Sequence, residues 1–213
     1  MKKIVMLVLV TALALVAIGC QPQKTTLDVT GSDTMVNLGA ALAEEFMKTN
    51  RNIEVAVSGG GSGAGVAALI EGRTNIAQSS RDLRPEERTR AAARGTLHEI
   101  IVGWDGLAVA VHPSNPVNEL TLAQLGQIYR GEVRNWKELG GNDAPIVILS
   151  RDTTSGTFVF FREFVVQERG QKRDAEYHPD TMMMPSTEAL YQEIARNPNA
   201  IGYVGLGFLR PTI

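Results

Sequence analysis

Four short stretches hold the residues able to do chemistry: Gly31-Ser32-Asp33-Thr34, the run SGGGSG from Ser58 to Gly63, Ser79-Ser80-Arg81, and Ser150-Arg151-Asp152-Thr153-Thr154-Ser155-Gly156-Thr157. Each offers hydroxyls or glycine amides, and two contain an arginine. Dense glycine lets a backbone approach another group closely or adopt positive φ. Arginine presents a planar fork of donors that matches an oxyanion. Neutral donors with one or two guanidinium groups describe a site for a small, enclosed oxyanion.

The elements that must position these stretches recur. A β-like run (Leu27–Thr30) leads through Gly31–Thr34 into a helix-like stretch from Met35 to Lys48, whose apolar Val36, Leu38, Ala41, Leu42 and Phe46 suit one helical face. Ile53–Val57 leads through the glycine run into Ala64–Glu71, and Ile146–Leu149 leads through Ser150–Ser155 into Gly156–Gln167. Between them, Ile100–Val102 and Leu107–Val111 are strand-like. Leu120–Gly131 and the stretch from Pro185 to Arg196 read as helices, the first with Thr121 as N-cap, and Ile201–Val204 reads as a last strand. Strands alternating with helices predict an α/β architecture. A helix start carries unpaired N–H groups and the positive end of the helix dipole. Three such starts aimed at one point would hold an anion.

Any one of these loops taken alone is an ordinary cap and turn. Arg81 is followed by Asp82, Arg84, Glu86, Glu87 and Arg88, which also fits a solvated charged face, and Arg151-Asp152 also fits a local ion pair. The threefold recurrence favours a shared site. Other motifs fail. Gly63 is followed by Ala64-Gly65-Val66 rather than the Lys-Ser/Thr of a P-loop, and Gly59, Gly61, Gly63 and Gly65 do not give a dinucleotide-binding G-x-G-x-x-G. Ala64 breaks a G-x-S-x-G elbow around Ser62. His98, His112 and His178 have no metal-ligand spacing and no nucleophile beside them. No catalytic site and no cofactor are expected.

The chain has 213 residues, with 21 Lys and Arg against 23 Asp and Glu. Without Lys2 and Lys3 the balance is 19 against 23, a formal charge of −4, which lacks the basic excess that nucleic-acid binding needs. Lys2-Lys3 precedes the uncharged run Ile4–Gly19, too short to span a bilayer, which ends at Cys20. Ala17-Ile18-Gly19-Cys20 resembles a lipoprotein cleavage site, with Ala17 where leucine is usual; a plain secretory signal is the alternative. Residues 1–20 are therefore expected to be a lipoprotein signal peptide and Cys20 the lipidation site, which anchors the protein to a membrane. As the single cysteine, Cys20 excludes a disulfide within the chain.

Five stretches together resemble the phosphate-binding proteins of bacterial ABC-type phosphate uptake systems: TGSDTMVNLGAALAEEF, SGGGSGAGVAALIEGRTNIAQSSRDL, WDGLAVAVHPSNPVNELTLAQLGQIYRGEVRNWKELGG, SRDTTSGTFVFFREFV and MPSTEAL…NPNAIGYVGLGF. They cover nearly all of Val29 to Phe208. The resemblance implies a type II periplasmic binding protein fold, two α/β lobes joined by crossover strands and closing on inorganic phosphate. Lobe 1 would span 21–103 and lobe 2 would span 104–205, with Trp104–Val111 at the first crossover and 206–213 starting a second. It implies phosphate donors from Ser32, Thr34, Ser62, Ser80, Arg81, Arg151, Ser155, Gly156 and Thr157. It further implies a non-enzymatic, monomeric, periplasmic or cell-surface protein that hands phosphate to a membrane permease.

Two departures qualify it. Some members place an aspartate in the turn held here by Ser79-Ser80 and another two residues after the arginine, where this chain has Thr153. Asp33 and Asp152 are the carboxylates left to accept a phosphate proton, so sulfate or another tetrahedral oxyanion remains an alternative ligand, and a sensor or adhesion role an alternative function. Members also continue well beyond the Gly-Tyr-Val strand, whereas this chain stops at Ile213. A C-terminally truncated fold with uncovered apolar surface on lobe 1 is the expectation.

Overall fold

The computed structural model describes residues 24–209. The signal peptide expected over 1–20, with Cys20, and residues 210–213 of the expected second crossover lie outside the described residues. Among the described residues no helix is long and apolar enough to cross a membrane.

Two sheets organise the chain. The first has the order β2-β1-β3, from β1 (Thr25–Gly31), β2 (Ile53–Ser58) and β3 (Ile76–Gln78), all parallel. Helices α1 (Val36–Thr49), α2 (Ser62–Glu71) and α3 (Pro85–Ala92) belong to this lobe. The second sheet has the order β4-β7-β5-β6, from β4 (Leu107–Val111), β5 (Val147–Arg151), β6 (Met182–Met184) and β7 (Ala200–Gly205). β4 runs antiparallel to β7, whereas β5 is parallel to both β7 and β6. This lobe carries α4 (Leu122–Tyr129), α5 (Gly156–Phe161) and α6 (Thr187–Arg196). A connection without helix or strand, residues 93–106, joins the lobes.

The lobes differ in how well they are filled. In lobe 2, β7 is buried along its whole length, and its Tyr203 packs in one cluster with Tyr129, Trp136, Phe161 and Tyr177. The Phe161 and Tyr203 rings stack with centroids 3.9 Å apart. The core of lobe 1 is small, built on Val66, Ile70 and Ala91.

Local chemistry explains the element boundaries. Thr121 caps α4 by accepting the Gln124 N–H at 3.2 Å, and Gln124 Oε1 returns the bond to the Thr121 N–H at 2.8 Å. Ser186 caps α6 through the Ala189 N–H. The helix expected over Gly156–Gln167 is present but changes pitch: α5 gives way to a π-helical turn at Arg162–Val166.

Three expectations are corrected. The segment Ile100–Val102 is not a strand; it is exposed, and no described strand lies beside it to complete its backbone bonds. The buried face of α1 is not the one expected. Leu38, Leu42 and Phe46 are 46%, 52% and 42% exposed, while Ala43 is the buried residue of that helix. Small residues let α1 sit close to its sheet, and the Met47 sulfur accepts the Val55 N–H of β2 at 3.3 Å. The short strands β3 and β6 and the helix α3 were not expected, because three-residue strands and a charged eight-residue helix carry little periodicity. The uncovered apolar surface expected on lobe 1 is present in Leu38, Leu42, Phe46 and Ile76.

Candidate functional site

The ends of β1, β2 and β5 turn directly into helix starts, and these turns meet across the seam between the lobes. β1 ends at Gly31, and Asp33–Met35 makes a short 3-10 turn before α1. β2 ends at Ser58, and the glycine loop leads to the start of α2. β5 ends at Arg151, and Asp152–Ser155 leads into α5.

Arg151 is the central charge. It is 1% exposed and donates from Nη2 to Asp33 Oδ2 of the other lobe at 2.7 Å. Its Nη1 donates to Thr187 Oγ1 at 2.7 Å, and Nη2 and Nε also reach the carbonyls of Pro185 and Met184 at 3.3 and 3.4 Å. Asp33 Oδ1 accepts the Gly60 N–H at 3.3 Å, so this carboxylate joins three elements. Beneath Arg151 a hydroxyl chain fixes the sheet: Tyr203 Oη lies 2.7 Å from Ser150 Oγ and 3.1 Å from Tyr177 Oη, and accepts the Arg151 N–H at 3.4 Å. Desolvation raises the pKa of Tyr203, which keeps it a neutral hydrogen-bonding group.

The hydroxyls pair across the same seam. Thr34 Oγ1 of lobe 1 lies 2.8 Å from Thr157 Oγ1 of lobe 2. Ser62 Oγ lies 3.2 Å from Ser80 Oγ and accepts the Ser80 N–H at 3.1 Å. Gly156 abuts both serines: a Cβ there would lie 2.5 Å from Ser62 Oγ and 2.7 Å from Ser80 Oγ. Ser32, Ser62, Ser155 and Thr157 are all buried.

The glycine run owes its composition to the opposite lobe. Gly61 has φ 95° and ψ 150°, and a Cβ there would lie 2.9 Å from the Thr154 carbonyl oxygen. That backbone region is essentially closed to residues with a side chain. One residue pair along, the Gly63 N–H donates to the Thr154 carbonyl at 2.9 Å, a main-chain bond between the lobes. Thr154 Oγ1 adds a bond to the Gly60 carbonyl at 3.3 Å.

The sequence-predicted residues thus fall into groups. Thr34, Ser62, Ser80, Arg151, Gly156 and Thr157 converge, with Asp33 among them. Ser32 is buried at the same loop. Ser155 spends its hydroxyl as the cap of α5, accepting the Phe158 N–H at 3.4 Å. Asp152 turns onto its own loop, where Oδ1 accepts the Thr154 N–H at 2.8 Å and also bonds the Thr154 hydroxyl. Arg81 is not on a solvated face. Its side chain is 9% exposed, and both terminal nitrogens bond Glu87 at 2.8 and 2.7 Å. This pair raises the pKa of Arg81 and lowers that of Glu87. Each guanidinium therefore has its own carboxylate. Two residues escaped sequence reasoning: Thr187, which reads only as a helix opener in Pro185-Ser186-Thr187-Glu188, and Glu87, which reads as part of a charge run.

Among the described residues no group of three His, Cys, Asp or Glu could hold a metal ion. What the seam can do is surround a small anion with hydroxyls and helix-start amides, beside paired rather than free charges.

Residues 19–212 match the family model of the PBP superfamily domain. The chain belongs to that family. It is 29% identical to the phosphate-binding protein PstS of Bacillus subtilis, over 98% of this chain and 72% of that protein. It is 31% identical to the protein SphX of Synechococcus elongatus, over 87% of this chain but 56% of that protein. The chain therefore spans little more than half the length of one of these relatives. Among solved structures it resembles, with TM-score 0.80 and 32% identity, a protein of Clostridium perfringens described as a phosphate ABC transporter substrate-binding protein with bound phosphate. That likeness covers 88% of this chain and 73% of the other. This family membership agrees with the two-lobed α/β architecture expected from the sequence.

Proposed function

We propose that the protein binds inorganic phosphate between its lobes and delivers it to the permease of an ABC transporter. It acts outside the cytoplasm as a monomer, tethered through a lipid on Cys20, and catalyses no reaction. The observation that carries this reading is the convergence of three strand-to-helix turns on Arg151 and Asp33 across one seam. The similarity to PstS of Bacillus subtilis and to the phosphate-bound Clostridium protein supports phosphate as the anion.

In this reading Ser32, Thr34, Ser62, Ser80, Ser155 and Thr157 give hydroxyls, and Gly156 gives a helix-start amide; the Ser32 and Ser155 N–H groups are spent on the carbonyls of Gln78 and Asp152. Arg151 supplies positive charge on one side. Asp33, already held by Arg151 and the Gly60 N–H, is the carboxylate placed to accept a phosphate proton. Asp152, committed to its own loop, is not. Sulfate has no proton to give near neutrality and would meet Asp33 as a repelling charge. Because the charged side chains are mutually paired, most of the anion's stabilisation falls to dipoles aimed at it.

The test is calorimetric titration of the full chain with phosphate and, separately, with sulfate at fixed ionic strength. Saturable phosphate binding that excess sulfate does not displace is expected. Equal affinity for both anions would replace phosphate by a general tetrahedral-oxyanion reading, and no heat with either would overturn the proposal.

A further inference from the structure

Glu87 does two jobs at once. As the third residue of α3 its Oε2 accepts the Arg84 N–H at 2.8 Å, which satisfies one open donor of the helix start. The same oxygen accepts Arg81 Nη1 at 2.8 Å, while Oε1 accepts Arg81 Nη2 at 2.7 Å. Arg81 Nη1 also donates to the Asp82 carbonyl at 2.8 Å. Both terminal nitrogens are thus engaged, and the guanidinium cannot swing. Two donors remain, the second Nη2 hydrogen and Nε–H, and Nε is buried with no partner.

The guanidinium that carries this donor lies beside the seam. Arg81 directly follows Ser80, whose hydroxyl faces Ser62. Its Nη2 is 3.9 Å from where a Cβ on Gly63 would stand, alongside the start of α2. The carboxylates of Glu86 and, from lobe 2, Glu163 also act on it electrostatically. A buried N–H left unpaired costs about 1–3 kcal/mol, so this donor favours an acceptor that the protein itself does not supply. An ungripped guanidinium would offer five N–H donors in several orientations.

Resting on the phosphate reading above, we propose that Glu87 is a positioning residue of the anion site: by gripping both ends of the Arg81 fork, it presents Nε–H as one fixed donor to a phosphate oxygen. The bland alternative is a staple that only fastens α3 to the preceding turn. The two differ in whether the loss of Glu87 reaches the ligand through Arg81.

The experiment is a double-mutant cycle on the full chain, titrated with inorganic phosphate where near-UV circular dichroism shows every variant folded. Glu87→Gln keeps an oxygen for the Arg84 N–H but turns an amide N–H toward Arg81. It should weaken phosphate binding by about fivefold or more, yet change it less than about twofold in an Arg81→Met background. The Arg81 Nε–H resonance, assigned by its loss in Arg81→Met, should move on addition of phosphate. Wild-type affinity in Glu87→Gln, an equal loss in both backgrounds, or an unmoved resonance would overturn the positioning role alone. A wild-type chain that binds no phosphate would overturn the function proposed above and this role with it.

Discussion

Arg151 and Asp33 stand 118 positions apart in sequence and 2.7 Å apart in space, one on each lobe. Neither lobe alone contains the pair, so it forms only when the lobes meet. Removing one partner of a buried pair leaves the other uncompensated and commonly costs about 3–5 kcal/mol. Arg151→Ala should therefore weaken phosphate binding by more than about 1.5 kcal/mol, the lower bound for a charge-assisted bond. Titration calorimetry checks this, and unchanged affinity removes Arg151 from the site. Asp33→Asn should instead erode discrimination, bringing phosphate and sulfate affinities closer together.

Gly61 tests the glycine run. Alanine there must occupy a backbone region costing about 1–3 kcal/mol and must push against the Thr154 carbonyl. Gly61→Ala should lower both the denaturation midpoint and the phosphate affinity. Gly60→Ala, which meets no neighbouring atom but also has positive φ, should cost stability while sparing affinity more. Equal effects on binding would mean that the contact with Thr154 is immaterial.

Acid should loosen the Arg81–Glu87 pair. Hydrogen bonding from Arg81 holds the Glu87 carboxyl below its ordinary value. A depressed folded-state pKa contributes stability that is present above the unfolded value of about 4.3 and is lost as pH falls through the folded value. Urea unfolding from neutrality down through that window should show a flatter acid limb in Glu87→Gln than in wild type. Parallel limbs would show that the pair adds nothing to pH dependence.

On α1, Leu38→Gln, Leu42→Gln and Phe46→Gln should each cost no more than about 1 kcal/mol, because these side chains are already about half in water. Ala43→Leu should cost about 1–3 kcal/mol by overfilling the contact with the sheet. Thermal unfolding separates the two cases.

The recurring strand–loop–helix units were legible because each loop joins a short apolar run to a helix start, and at α5 Ser155 supplies a side-chain cap. The residues that converge were legible for the same reason. What the sequence concealed were partnerships over long separations. Nothing around Asp33 announces Arg151, and the charge run after Arg81 hides one engaged residue, Glu87, among solvated ones. The face of α1 was misread because its inward face carries Gly39, Ala43 and Met47 rather than Leu38, Leu42 and Phe46. Ile100–Val102 has strand composition, yet strand geometry needs a neighbour to bond.

The Gly63–Thr154 bond is made of peptide groups alone. Whatever amino acid occupied position 154, its carbonyl would still be there, and at position 63 proline alone would abolish the donor. The docking register of the two halves is thereby insulated from mutational drift, leaving hydroxyls and charges nearby free to be exchanged during evolution without misaligning the jaws that carry them.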